Sequence, residues 1–230
     1  MFYYDSTYIL VVIGAILCMV ASARVNSTFK KYSQIRSTSG LTGKEAAEKI
    51  LIHNGIYDVS IQHIPGDLTD HYDPRHKVLR LSDSTYNSTS VAAVGVAAHV
   101  CGHALQHATN YSPLTIRCTL VPIANFGSQL AWPLIIIGIF LNGNTGMMII
   151  NAGIICFSAA VLFQLITLPV EFNASRRAVA QIGEIGILGS DELPYTKKVL
   201  KAAAMTYVAS AAAGILQLLR LVLIAKRNDD

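Results

Sequence analysis

Residues 147–170 read MMIINAGIICFSAAVLFQLITLPV, twenty-four positions without a charged side chain. A helix rises 1.5 Å per residue, so ~20 apolar residues cross the ~30 Å core of a bilayer. The stretch is therefore predicted to span a membrane. Three other windows share its character. Residues 7–23, TYILVVIGAILCMVASA, carry no charge. Residues 119–141 contain Pro122 and Pro133, and residues 202–225 are interrupted by Gln217 and Arg220. Outward from these windows lies a polar, mixed segment, 24–117, and a shorter one, 171–201.

Composition agrees. Of 230 residues, 52% are hydrophobic and 14% charged, and the mean hydropathy is +0.44. Soluble domains carry ~25% charged residues. An ordinary cytosolic domain, a disordered chain and a collagen-like repeat are excluded. The expected organisation is a first transmembrane helix (1–23), a polar domain (24–117), helices two and three (118–170), a polar segment (171–201), and helix four with its tail (202–230).

Lys and Arg mark cytoplasmic loops. None precedes the first span, whereas Arg24, Lys30, Lys31 and Arg36, then Lys44, Lys49, Arg75, Lys77 and Arg80, follow it. Arg176, Arg177, Lys197, Lys198 and Lys201 follow the third, and loop 142–146 is uncharged. Lys226 and Arg227 alone fall on the opposite side. Both termini are expected outside and both polar segments inside. The opening MFYYDST lacks the basic region of a secretory leader. The net charge of +4 reflects this bias and calls for no nucleic acid. Cys18, Cys101, Cys118 and Cys156 match no CxxC spacing and read as small packing residues.

In the polar domain, residues 41–54 are predicted helical, with Thr42 as N-cap and Glu45 completing a capping box. Residues 59–64 and 77–81 alternate like strands, and the acidic stretch 65–74 between them reads as a loop. Residues 88–108 read as a buried helix opened by Asn87 or Ser88. It contains His99-Val100-Cys101-Gly102-His103. Histidines at i and i+4 leave one face of a helix and can converge on a metal ion. Such a pair also occurs as ordinary buried histidines. His107 extends the series, but its Cα lies ~12 Å along the axis from that of His99, too far for one zinc. It reads as an outer supporting residue or a surface one. Gln106 and Thr109 stand where the long zincin pattern has Gly and His, so that class is rejected.

A third ligand must come from elsewhere. Of five glutamates, Glu45, Glu48, Glu171, Glu184 and Glu192, Glu171 directly follows the third span, on the membrane side where the His99 helix is expected. It is the best partner for a His₂Glu site. The alternative is that Glu171, after Pro169, opens the next helix.

HVCGHALQHA, the following NYSPLTIRCTLVPIANFGS and LPVEFNASRRA together resemble the YugP-type neutral zinc metallopeptidases, bacterial integral-membrane proteins with a HExGHAxQ helix. The resemblance covers nearly the whole chain. It implies an α-helical integral membrane protein of about four transmembrane helices, with a small zincin-like α+β domain at the cytoplasmic face of the bacterial inner (plasma) membrane. It implies one catalytic Zn²⁺ on His99, His103 and Glu171, and a peptide or membrane-protein substrate. An oligomer or a regulatory membrane partner is compatible with it. Glu171-Phe-Asn-Ala174-Ser175 is also similar to the ExxAD motif of HtpX-type membrane proteases, with Ser175 in place of the Asp that orients a ligand histidine. Asn173 or Ser175 is expected to take that task. Arg176 and Arg177 are candidates to steady an oxyanion or substrate carboxylate, or else a cationic anchor pair at the membrane.

The departure is Val100. The family has its catalytic Glu here, which accepts the proton of the attacking water. Val cannot take a proton. The resemblance therefore implies a metallopeptidase frame whose activity is lost or strongly impaired, with a non-catalytic zinc-binding scaffold protein as the alternative.

Overall fold

The structure, a computed structural model, describes residues 6–141 and 143–229. The opening MFYYD, Asn142 of the uncharged loop and the side chain of Arg227 lie outside the described residues. The chain is mostly helical, with a small three-stranded sheet. The elements are α1 (Tyr8–Tyr32), α2 (Gly43–His53), β1 (Ser60–His63), β2 (His71–Asp73), β3 (Val78–Leu81), α3 (Asp83–Tyr86), α4 (Val91–Ala108), α5 (Ser112–Leu141), α6 (Gly143–Ile185) and α7 (Leu193–Asp229). Among the described residues four helices, α1, α5, α6 and α7, are long and apolar enough to cross a membrane.

The chain forms two compact units. The first takes the residues up to Ala21, Thr115–Leu168 and those from Thr206 onward. Its exposed side chains are large and apolar, among them Ile123, Phe126, Ile155 and Leu219, as suits helices facing lipid. Its helices approach closely where side chains are small. A Cβ on Gly153 of α6 would lie 2.9 Å from the Ala131 carbonyl of α5.

The second unit takes Ser22–Leu114 and Pro169–Met205. Its core is built between α2 and α4. Ala46, Ala47, Ile50 and Leu51 repeat at helical spacing on α2, and Ala97, Ala98, Cys101 and Ala104 do so on α4. Thr42 caps α2 and, with Glu45, makes the expected capping box. The sheet has the order β1-β3-β2, with β1 parallel and β2 antiparallel to β3. Leu79 and Leu81 of the central strand are fully buried.

Three expectations are corrected. The stretch 65–74 is not all loop, because His71–Asp73 form edge strand β2. Its charged sequence hides a three-residue strand held by backbone pairing to β3 and by Asp70, which accepts from the Ser82 N–H and hydroxyl. Helix α4 begins at Val91, not at 88, because Ser90 rather than Asn87 or Ser88 is the cap, accepting from the Ala93 N–H. Glu171 does not open a helix. Helix α6 runs unbroken from Gly143 through Pro169 to Ile185, so Glu171 sits mid-helix with no exposed N-terminal amides to cap.

Candidate metal centre

Two helices of the second unit build the site. Helix α4 carries His99 and His103 one turn apart, and α6 carries Glu171. They meet at Gly102, where a Cβ would lie 2.5 Å from the Ala174 carbonyl oxygen. No other residue type permits that approach without moving backbone. Ala174, Ala178 and Ile182 continue the contact face along α6 and are fully buried.

The metal-ligating atoms of His99, His103 and Glu171 all lie within 4.8 Å of one another. Glu171 Oε2 is 3.3 Å from His99 Nε2 and 3.5 Å from His103 Nε2. Donor atoms 2.1 Å from a tetrahedral centre stand about 3.4 Å apart, so the trio fits a small divalent ion such as zinc. Glu171 is 2% exposed and the histidines 19% and 14% by side chain, leaving an open approach on the histidine side. Burial alone would raise the Glu171 carboxyl pKa. The facing His103 and His99 imidazoles more than reverse this and hold it well below the usual carboxylate range.

Both ligand histidines are fixed from behind. Ser175 Oγ lies 3.1 Å from His99 Nδ1, and Gln106 Oε1 lies 3.0 Å from His103 Nδ1. With Nδ1–H donating to these oxygens, each Nε2 is left as a lone-pair donor aimed at the trio. Gln106 is itself fully buried and fully bonded, its amide nitrogen donating to the Val170 carbonyl and to Asn173 Oδ1. It is the supporting residue that sequence reasoning missed. Its position three residues beyond His103, on the same helix face, was the available signal. Replacing Gln106 by Leu keeps its bulk but frees the His103 ring. Zinc affinity is expected to fall about 10–100-fold in a chelator competition, with the helical content unchanged.

The remaining site candidates are placed as follows. Asn173 Oδ1 accepts from Gln106 Nε2 at 3.0 Å and from Arg177 Nε at 2.8 Å, and so reaches His103 by way of Gln106. Arg177 also donates to the Leu105 carbonyl and lies over the Tyr111 ring, so it ties the C-terminal end of α4 to α6. Arg176 is exposed. His107 falls outside the trio and its Nδ1 is 2.9 Å from the Tyr72 hydroxyl. Val100 is 2% exposed and belongs to the hydrophobic core. Cys101 faces α2, its Sγ 3.7 Å from the Ala47 carbonyl, and burial pushes its thiol pKa up, which suits packing rather than reactivity.

The other glutamates are engaged elsewhere. Glu45 closes the α2 cap, Glu48 pairs with Lys44, and Glu184 accepts from Gln181. Glu192 is buried but accepts from Thr38 and the Gly189 N–H.

The four helices long and apolar enough to cross a membrane, with a two-histidine, one-carboxylate trio that could hold a metal ion, define the class: a membrane protein with a candidate metal centre. The chain belongs to the family described as "Putative neutral zinc metallopeptidase", whose model matches residues 7–226. It is 48% identical over 224 residues to "Putative membrane protease YugP" of Bacillus subtilis (strain 168), covering 97% of this chain and 98% of that protein. No solved structure matches it.

Proposed function

We propose that the chain is the frame of a zinc metallopeptidase of the bacterial plasma membrane. Its small zincin-like domain stands at the cytoplasmic face, both termini lie outside, and its substrate class is a peptide or membrane protein. One observation carries this reading: the buried Glu171 carboxylate of α6 stands 3.3 and 3.5 Å from the Nε2 atoms of His99 and His103, one turn apart on α4, with Ser175 and Gln106 bonded to the far side of each ring. The Lys/Arg asymmetry of the loops supports the orientation.

His99, His103 and Glu171 would hold one zinc, which would supply Lewis acidity toward the scissile carbonyl and toward the attacking water. The chain's own residues bind and orient. Glu171 contributes a buried anion, and Ser175 and Gln106 hold both imidazoles with Nε2 aimed at it. The missing part is a proton acceptor. Val100 occupies its place with an apolar side chain buried in the core, so hydrolysis by this chain is strongly impaired.

That same residue favours a second reading, a zinc-binding scaffold that holds a membrane partner or a second copy without cutting. Val100→Glu separates the two. Zinc-dependent hydrolysis of a membrane-proximal peptide supports the peptidase frame. A Val100→Glu chain that binds zinc and cleaves nothing supports the scaffold.

A further inference from the structure

Ala104, His107 and Ala108 of α4, with residues of β2 and of the segments around β1 and β3, line a cavity of about 130 Å³. Ile56, Val59 and Ala104 give it an apolar floor, and Tyr72 and His107 form a wall. Asp58 and Lys77, both exposed, stand at its rim. Ala104 directly follows the ligand His103, and His107 is one helical turn further on. The cavity thus lies along α4 within about a turn of the ligand His103 and shares no ligand with the candidate metal centre.

The polar groups around it are satisfied by one another. The Tyr72 hydroxyl bonds His107 Nδ1 and the Lys77 ammonium bonds the Asp58 carboxylate. Burial first, then the charges of Asp58 and Asp73, raise the Tyr72 pKa to about 12, so the phenol stays protonated and uncharged across the ordinary pH range. A charged guest would find no unpaired counter-charge, and an amide would have to break an existing pair. An apolar cavity of ~150 Å³ suffices for a benzene ring, so this one has room for a branched aliphatic or aromatic side chain.

We propose that this pocket receives one apolar side chain of the substrate, of the Leu, Ile or Phe class, and sets where cleavage falls. The proposal rests on the peptidase reading. It makes Tyr72, Ala104 and the Asp58–Lys77 pair specificity residues rather than catalytic ones. Tyr72 and His107 present ring surface, and the rim pair excludes acidic and basic side chains by being already neutralised.

The test is a cleavage profile. Purified full-length Val100→Glu chain, loaded with zinc, is incubated with a mixed peptide library and the cut ends are read by mass spectrometry. One position relative to the cut is expected to favour Leu, Ile and Phe over Gly, Asp and Lys by about tenfold or more. Adding Ala104→Phe fills the floor and should abolish that preference. Adding Asp58→Asn instead leaves Lys77 unpaired at the rim and should admit Asp and Glu at the same position. Asp58 is on the surface, so this second variant decides the matter if the first fails to fold, as zinc content reports. An active chain whose profile is the same in both variants, or in Asp58→Asn when Ala104→Phe binds no zinc, overturns the pocket and leaves the peptidase standing. A zinc-loaded chain that cuts nothing overturns both.

Discussion

Val100→Glu is expected to raise zinc-dependent peptide hydrolysis by about 10²–10⁴-fold over the chain as it stands, the range that a positioned general base contributes. Position 100 directly follows His99, so a carboxylate there starts one residue from a ligand. Val100 now fills that place and is packed into the core. A Glu must keep its stem among the same apolar neighbours and send its carboxylate toward the open histidine side. Burying an unpaired charge costs stability, so a modest drop in Tm should accompany the gain in rate. Initial rates on a peptide, with and without a zinc chelator, check the first part, and a melting curve checks the second. A rate that is unchanged while zinc is bound would place the chain among scaffolds.

Gly102→Val should produce the largest loss. In an exposed helix, replacing Gly gains up to ~1 kcal/mol of intrinsic propensity. Here a Cβ alone would lie 2.5 Å from the Ala174 carbonyl oxygen and 3.1 Å from its Cα. Both neighbours are backbone, so α6 must move away from α4. Overpacking of this kind costs about 1–3 kcal/mol, and valine's second branch puts it at the upper end. The same movement draws Glu171 away from His99 and His103, so zinc affinity should fall together with Tm. Gly183→Ala is the contrast. It is exposed on α6, its Cβ would meet the Leu193 side chain at an ordinary 3.5 Å, and a gain of up to ~1 kcal/mol is expected. Denaturant melts of the three chains with parallel zinc titrations test the pair. A Gly102→Val chain as stable as the parent would contradict the close contact.

The spans, the α2 cap and strands β1 and β3 were legible in the sequence because each rests on a local signal: an uncharged run, a Thr-x-x-Glu box, an alternation. Strand β2 was not, because His71, Tyr72 and Asp73 have no apolar alternation and are ordered by β3 beside them. The continuity of α6 was hidden by Pro169, which usually marks a helix start and here lies within one. The trio was reachable because carboxylates are scarce and the histidine spacing is periodic. Gln106 was passed over because it looked like a broken zincin position, and its task shows only once Val170 and Asn173 are brought to it by α6. Arg177 read either as a cation for an oxyanion or substrate carboxylate or as a membrane anchor; its bond to Asn173 is an i,i+4 pair within α6, whereas its bond to the Leu105 carbonyl is a tertiary contact that no local pattern announces.

The central claim is that His99, His103 and Glu171 hold one zinc. Metal analysis of the purified full-length chain, beside Glu171→Ala, tests it most directly. The account predicts one zinc per chain in the first and none in the second. A parent chain free of zinc after loading, or full zinc retained in Glu171→Ala, would contradict it.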